Sequence, residues 1–189
     1  GLINVESISR CVDPYKDFED YMALADNPDF RFVVSNTTEA GIEFVDTCKF
    51  DDKPCLSFPG KLTQLLYKRY ENGLGGFILL PCELIDSNGD ELKKCVLQYA
   101  DLWELSEDFK AWINNENKFV NTLVDRIVTG FPKNDAEEIY KSLGYTDKLL
   151  SVAEPFALWV IESDKDISKE FPLPDAGMPV IFTDNQKPY

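Results

Sequence analysis

The residues best placed to do chemistry stand in one stretch, Ser35, Asn36, Thr37, Thr38 and Glu39, which follows the apolar run ending at Val34 and leads into Ala40, Gly41 and Ile42. Hydroxyls, an amide and a carboxylate at the end of a short strand can hydrogen-bond a ribose, a phosphate or a carbonyl. Open α/β sheets bind small molecules outside the carboxyl ends of their strands, where loop atoms reach them. The same residue types also form turns and cap helices, so a plain turn stays open as the alternative.

Two further stretches carry polar groups in a comparable place. The continuously apolar Phe77 to Leu80 runs into Pro81, Cys82 and Glu83 and on to Asp86, Ser87, Asn88 and Gly89. A strand-like segment from Phe119 to Val128 contains Asn121, Asp125 and Arg126. Asn-Gly is also a common tight turn, and an Asp-Arg pair can serve the fold alone, since buried charges need partners. Polar tips of three strands converge in principle on one rim.

Composition limits what such a rim can do. The chain has 189 residues, 44% apolar and 13% aromatic, enough to bury the core of one ordinary domain. Its formal net charge is −15, and its 19 Lys and Arg form no basic stripe, which argues against a nucleic-acid partner. Histidine is absent, which removes Ser-His and Cys-His catalysis, and the five cysteines contain no C-x-x-C pair, which argues against zinc. Cys82 and Cys95 lie in or beside apolar runs and read as buried small hydrophobes. Reduced thiols fit a cytoplasmic protein. No signal peptide and no apolar span of membrane length is recognisable, so no membrane partner is expected. Gly1 stands first rather than Met, which a processed start and an excised segment both explain.

The elements that position these residues follow from apolar spacing and punctuation. Leu2 to Cys11 has strand spacing, and Asp13-Pro14 opens a helix expected to reach about Asp26, with Phe18, Tyr21, Met22 and Ala25 on one face. Asn27-Pro28 stops it before a strand from Phe30 to Ser35. Ser57 caps a second helix bearing Leu62, Leu65, Leu66 and Arg69, ended by Gly73, Gly75 and Gly76. Phe77 to Leu80 is the pattern of a central parallel strand covered on both faces. Helices are expected over Asp90 to Trp103 and Ser106 to Asn114, then the segment Phe119 to Val128, a helix from Asp135 to Leu143 and a strand from Phe156 to Ile161. From Asp164 to Tyr189, Pro172, Pro174, Pro179 and Pro188 interrupt any period, so this stretch is expected to wrap a surface or bridge onward. Alternating strands and helices predict an α/β fold with a mostly parallel, doubly wound sheet and helices on both faces.

The usual dinucleotide signature is missing. No G-x-G-x-x-G follows a first strand, and Gly73 to Gly76 precedes a strand instead. From the residues alone, enzyme and binding module both stay open.

Five strings extend the reading: SNTTEAGI from Ser35, FPGKLTQLLYKRY from Phe58, LPCELIDSNGDELK from Leu80, FVNTLVDRIVTGFP from Phe119 and AEPFALWVIE from Ala153. In this order, and over nearly the whole chain, the sequence resembles the polyol-specific long-chain dehydrogenases, the mannitol dehydrogenase family. Leu84 after Cys82-Glu83, where the mannitol branch has an asparagine, points to the branch that handles uronates.

The resemblance implies a partial Rossmann-like sheet and an NAD-dependent oxidoreductase interconverting altronate and tagaturonate in cytoplasmic hexuronate breakdown. Fructuronate or mannitol is the alternative substrate within the family, and a non-catalytic binding or regulatory module the alternative outside it. Residues 1–163 are then expected to be the later part of the cofactor domain, and 164–189 a Pro-rich extension leading toward a helical C-terminal domain. The family's glycine-rich loop and its K-x-x-x-x-N-x-x-H motif are both missing, so the isolated chain is expected to be inactive. Its partners would be the absent N-terminal segment and C-terminal domain, and a small sugar-acid substrate. The implied roles are an oxyanion-side donor for Asn88, nicotinamide-ribose and site-lining contacts for Ser35, Asn36, Thr37, Thr38 and Glu39, and a substrate-side frame for Asn121, Asp125 and Arg126. The catalytic lysine of the family lies outside this chain, and no metal is implied.

Overall fold

The computed structural model describes residues 3–163 and 167–189. It divides into two compact units, the first ending at Asn121 and the second running from Thr122 to Tyr189.

In the first unit, helix α1 (Phe18–Ala23) continues as a 3-10 turn over Leu24–Asp26 and is followed by strand β1 (Phe32–Ser35). Helix α2 (Phe58–Glu71), strand β2 (Ile78–Pro81), helices α3 (Asn88–Leu102) and α4 (Glu107–Glu116) and strand β3 (Lys118–Phe119) complete it. The strands form one parallel sheet in the order β1-β2-β3. Val33 pairs with Leu79, Ser35 with Pro81 and Leu79 with Phe119. Parallel neighbours require helical crossovers, and α2 and the α3-α4 pair supply them. All three strands therefore end on the same side.

Local chemistry explains the helix positions. Ser57 Oγ accepts from Gly60 N at 3.1 Å and Ser106 Oγ from Phe109 N at 3.2 Å, each satisfying a free amide of a first turn. Lys68 and Arg69 sit in the last turn of α2, where cations suit the helix dipole. Leu62, Leu65 and Leu66 of α2, Leu92, Val96 and Ala100 of α3, and Phe109 and Ile113 of α4 pack in one core with Phe77 and Leu79. Arg69 is buried, with its guanidinium over the Phe77 ring, and donates to the carbonyls of Gly75, Asn27 and Phe30 at 2.6, 2.8 and 3.0 Å. One side chain thus pins the entries to β1 and β2. A second cluster surrounds Tyr99, with Cys48 and Cys55 buried beside it.

Strand β4 (Asn121–Asp125), whose first residue is the last of the first unit, forms a sheet with β7 (Leu158–Glu162) and β8 (Val180–Thr183) in the order β4-β7-β8. Strands β5 (Val128–Gly130) and β6 (Val152–Ala153) pair antiparallel, and helix α5 (Ala136–Leu143) lies between them in sequence. Gly144, at φ 82°, closes α5 in the left-handed region.

Several expectations need correction. Residues 3–11 form no strand, and Ile3, Val5 and Ile8 are exposed; alternation makes a strand only where a neighbour supplies the ladder, and among the described residues none does. Leu2, at the start of that expected strand, lies outside the described residues. The first helix begins only at Phe18, because Asp13 organises a turn instead, accepting from Tyr15 N with Oδ1 and from Lys16 N and Asp17 N with its carbonyl. Phe119 to Val128 is not one strand but parts of β3, β4 and β5, which belong to three separate sheets. The final stretch is more regular than its prolines suggest: β8 pairs parallel with β7, Trp159 opposite Val180 and Glu162 opposite Thr183. Residues 164–166 lie outside the described residues.

Among the described residues no helix is long and apolar enough to cross a membrane, and no cluster of three His, Cys, Asp or Glu could hold a metal ion.

Candidate functional site

The tips of β1 and β2 meet through a residue that the pattern of hydroxyls did not single out. Glu83, only 3% exposed, lies just beyond the end of β2. Its Oε2 accepts from Ser35 Oγ at 2.9 Å, and its Oε1 accepts from Thr37 N at 3.0 Å and Thr37 Oγ1 at 2.8 Å. A buried carboxylate is costly unless hydrogen-bonded, and here three donors from the β1 tip satisfy it. Among the described residues no Lys or Arg makes a salt bridge with it. The backbone adds a further tie, Cys82 N donating to Ser35 O at 2.7 Å.

Ser35 is buried, whereas Asn36, Thr37, Thr38 and Glu39 are exposed. Gly41 N donates to Thr38 O at 2.8 Å, folding the segment back on itself. A Cβ on Gly41 would stand 1.8 Å from Thr37 Oγ1, so only glycine leaves room for that hydroxyl. The exposed rim accordingly carries hydroxyls and an amide held on a fixed turn.

Asn88 opens α3 and is 1% exposed. Its Nδ2 donates to Pro81 O and Glu83 O, both at 3.0 Å. With both amide hydrogens spent on carbonyls, this geometry makes Asn88 the brace of the β2–α3 loop rather than a free donor for a substrate oxygen. The Asn-Gly step is no tight turn either. A Cβ on Gly89 would meet Val120 C at 2.6 Å and Val120 O at 2.7 Å, so glycine permits α3 to touch the chain between β3 and β4.

Asn121 joins the same place from the third strand end. Its Oδ1 accepts from Asp90 N at 3.1 Å and its Nδ2 donates to Asp90 Oδ2 at 3.1 Å. Ser87, at φ 53°, makes no side-chain cap to α3, and Asn121 supplies the missing acceptor from outside the helix. Ser35, Thr37, Glu83, Asn88 and Asn121 thus ring the tips of β1, β2 and β3 within the first unit.

Asp125 and Arg126 belong to the second unit and are both exposed. Arg126 Nε donates to Glu154 O at 3.1 Å, and the neighbouring Ile127 N donates to Glu154 Oε1 at 2.7 Å. Among the described residues Asp125 and Arg126 form no ion pair with one another.

Leu84 is exposed beside the buried Glu83. A carboxylate directly after a fully buried strand is the signal that marks Glu83 in the sequence, because such a charge must find donors nearby.

Comparison with known proteins places this architecture. A family profile described as the mannitol dehydrogenase Rossmann domain matches residues 2–174. The altronate oxidoreductase of Phocaeicola vulgatus is 50% identical over all of this chain, which spans 40% of that protein. The altronate oxidoreductase of Bacteroides thetaiotaomicron is 48% identical, again over all of this chain and 40% of its own length. In structure the chain is similar to Pseudomonas fluorescens mannitol 2-dehydrogenase, solved with NAD and D-mannitol, at a TM-score of 0.78 and 23% identity over 98% of this chain and 39% of that one. D-sorbitol dehydrogenase gives a TM-score of 0.71 and 26% identity over 90% of this chain and 37% of that one. The parallel sheet, the helical crossovers and the profile match together establish that this chain belongs to the mannitol dehydrogenase family, within its Rossmann domain.

Proposed function

We propose that the chain is the later part of the cofactor domain of an NAD-dependent oxidoreductase that interconverts D-altronate and D-tagaturonate, a cytoplasmic step of hexuronate catabolism. The chain spans about two fifths of the altronate oxidoreductases it resembles, so the activity belongs to a longer protein. Residues 1–163 serve the cofactor, and 164–189, whose strand β8 pairs with β7, lead toward a further domain.

The observation that carries the reading is the ring of polar groups at the carboxyl ends of parallel strands, with Ser35, Thr37 and Glu83 joined by three hydrogen bonds. Its chemistry fits one half of NAD. The exposed Asn36, Thr37, Thr38 and Glu39 offer neutral and anionic acceptors to ribose hydroxyls and a carboxamide, and no cation of the ring awaits a phosphate. The pyrophosphate half finds no glycine-rich loop here and is held by residues outside this chain. When bound, NAD accepts or gives the hydride. The residues of this chain orient the nicotinamide side. Glu83 and Asn88 hold the loops in place, and Asn121 fixes α3 beneath them.

The sugar-acid assignment rests on the altronate oxidoreductases at 50% and 48% identity. The longer protein, assayed for NAD reduction with altronate, mannonate and mannitol, is expected to prefer altronate. Preference for mannitol, or no turnover of any of the three, overturns the assignment.

A further inference from the structure

A hydroxyl group is both donor and acceptor, and which role it offers a ligand depends on where its proton already points. The Thr37 proton points at Glu83: Oγ1 lies 2.8 Å from Oε1, and the carboxylate can only accept. The same oxygen Oε1 also takes Thr37 N–H at 3.0 Å, which fixes the backbone that carries the hydroxyl. Gly41 closes the other side, since any Cβ there would occupy the place of Oγ1. Glu83 is itself held from behind, its carbonyl accepting from Asn88 Nδ2 at 3.0 Å and from Ile85 N at 2.8 Å. The exposed Thr37 hydroxyl is left with lone pairs alone.

We propose that Glu83 is a positioning residue of the cofactor rim, orienting the Thr37 hydroxyl as a hydrogen-bond acceptor so that the rim selects a donor group on the nicotinamide half of the cofactor. This rests on the reading of Ser35 to Glu39 as the nicotinamide-ribose side. Two donors share that chemistry, a ribose hydroxyl and the carboxamide N–H. Glutamine in place of Glu83 keeps the device: its amide oxygen can face the two Thr37 donors while its NH2 faces Ser35 Oγ, which then accepts. Leucine removes it.

The test uses the longer active protein, with steady-state kinetics for wild type, Glu83→Gln, Glu83→Leu, Thr37→Val and the double variant Glu83→Leu/Thr37→Val. Glu83→Leu should raise KM for NAD about tenfold, the worth of one charge-assisted hydrogen bond, with kcat and the sugar-acid KM within about twofold. Glu83→Gln should return the NAD KM to within about threefold of wild type. In the double variant the two losses should not add, because Glu83 acts through the Thr37 hydroxyl. The analogue 3-acetylpyridine adenine dinucleotide, which lacks the carboxamide N–H, separates the donors. A Glu83→Leu loss that vanishes with the analogue assigns the carboxamide, and an equal loss assigns the ribose.

A Glu83→Leu variant with unchanged NAD KM, one that loses kcat while its KM holds, or additive losses in the double variant would each overturn the proposal. Failure of the functional reading appears elsewhere, in a wild-type protein that does not use NAD at all, and that result removes both.

Discussion

Glu83 and Thr37, 46 residues apart, are joined twice through a single carboxylate oxygen, which takes both the backbone amide and the hydroxyl of the threonine. The strand register brings them together. Ser35 lies opposite Pro81, so the residues that follow each strand emerge side by side. The polar rim is thus a consequence of two short apolar strands paired in parallel, and its chemistry is fixed one or two residues beyond their ends.

Gly41 tests how tightly that rim is built. Gly41→Ala places a methyl group 1.8 Å from Thr37 Oγ1 and 2.6 Å from Thr37 Cβ, so the threonine must shift and its hydroxyl leaves the Glu83 carboxylate. The expected outcome is a lowered melting temperature together with a several-fold weaker NAD interaction, about the worth of one hydrogen bond. Fluorescence titration of the longer protein with NADH measures it.

Asn88 should respond to charge more sharply than to truncation. Asn88→Ala removes the donors to Pro81 O and Glu83 O and leaves two carbonyls without that partner, a cost of about 1–3 kcal/mol. Asn88→Asp sets a carboxylate against the same two carbonyls and should be less stable than the alanine variant. Urea denaturation gives the order directly, and the reverse order would contradict a bracing role.

Gly89 reverses the usual rule for helices. Replacing a helical glycine by alanine ordinarily stabilises by about 1 kcal/mol. Here the added Cβ would meet Val120 C and O at 2.6 and 2.7 Å, backbone atoms that cannot swing aside, so Gly89→Ala is expected to destabilise by about 1–3 kcal/mol.

Legibility in the sequence followed the strength of local signals. Ser57 and Ser106 announced their helices because a cap is a contact between near neighbours, and Phe77 to Leu80 announced a buried strand because nothing in it is polar. The interruption of Phe119 to Val128 left no such mark, since leaving one sheet for another is decided by partners far along the chain. Strand β8 escaped notice because three apolar residues after Pro179 carry no period of their own, and only pairing with β7 makes them a strand. At the site, the hydroxyl-rich loop was visible as composition. Glu83 was visible as a carboxylate after a buried strand, but its tie to that loop was not, because it stands 46 residues from Thr37.

Alkaline pH should expose the Tyr99 cluster. Burial pushes the Tyr99 hydroxyl from 10.0 up to about 12 and the Cys55 thiol from 9.0 up to about 12. Between those values the unfolded chain releases protons that the folded protein keeps, so the associated stability is complete below pH 9 and falls as pH rises toward 12. Tyr99→Phe removes one of the two titrating groups together with the contacts to Ser57 Oγ at 2.7 Å and Val45 N at 2.9 Å. That variant should be less stable at neutral pH by about 1–3 kcal/mol yet lose stability less steeply above pH 9, as urea denaturation across the range will read.

Hydrogen exchange of the longer protein, with and without saturating NAD, tests most directly whether the tips of β1 and β2 face the cofactor. Slower exchange on binding in the peptides covering 35–41 and 81–91, with residues 137–146 unchanged, is the result expected. Protection that spares both strand-end loops while appearing elsewhere in the chain would contradict the assignment of the rim.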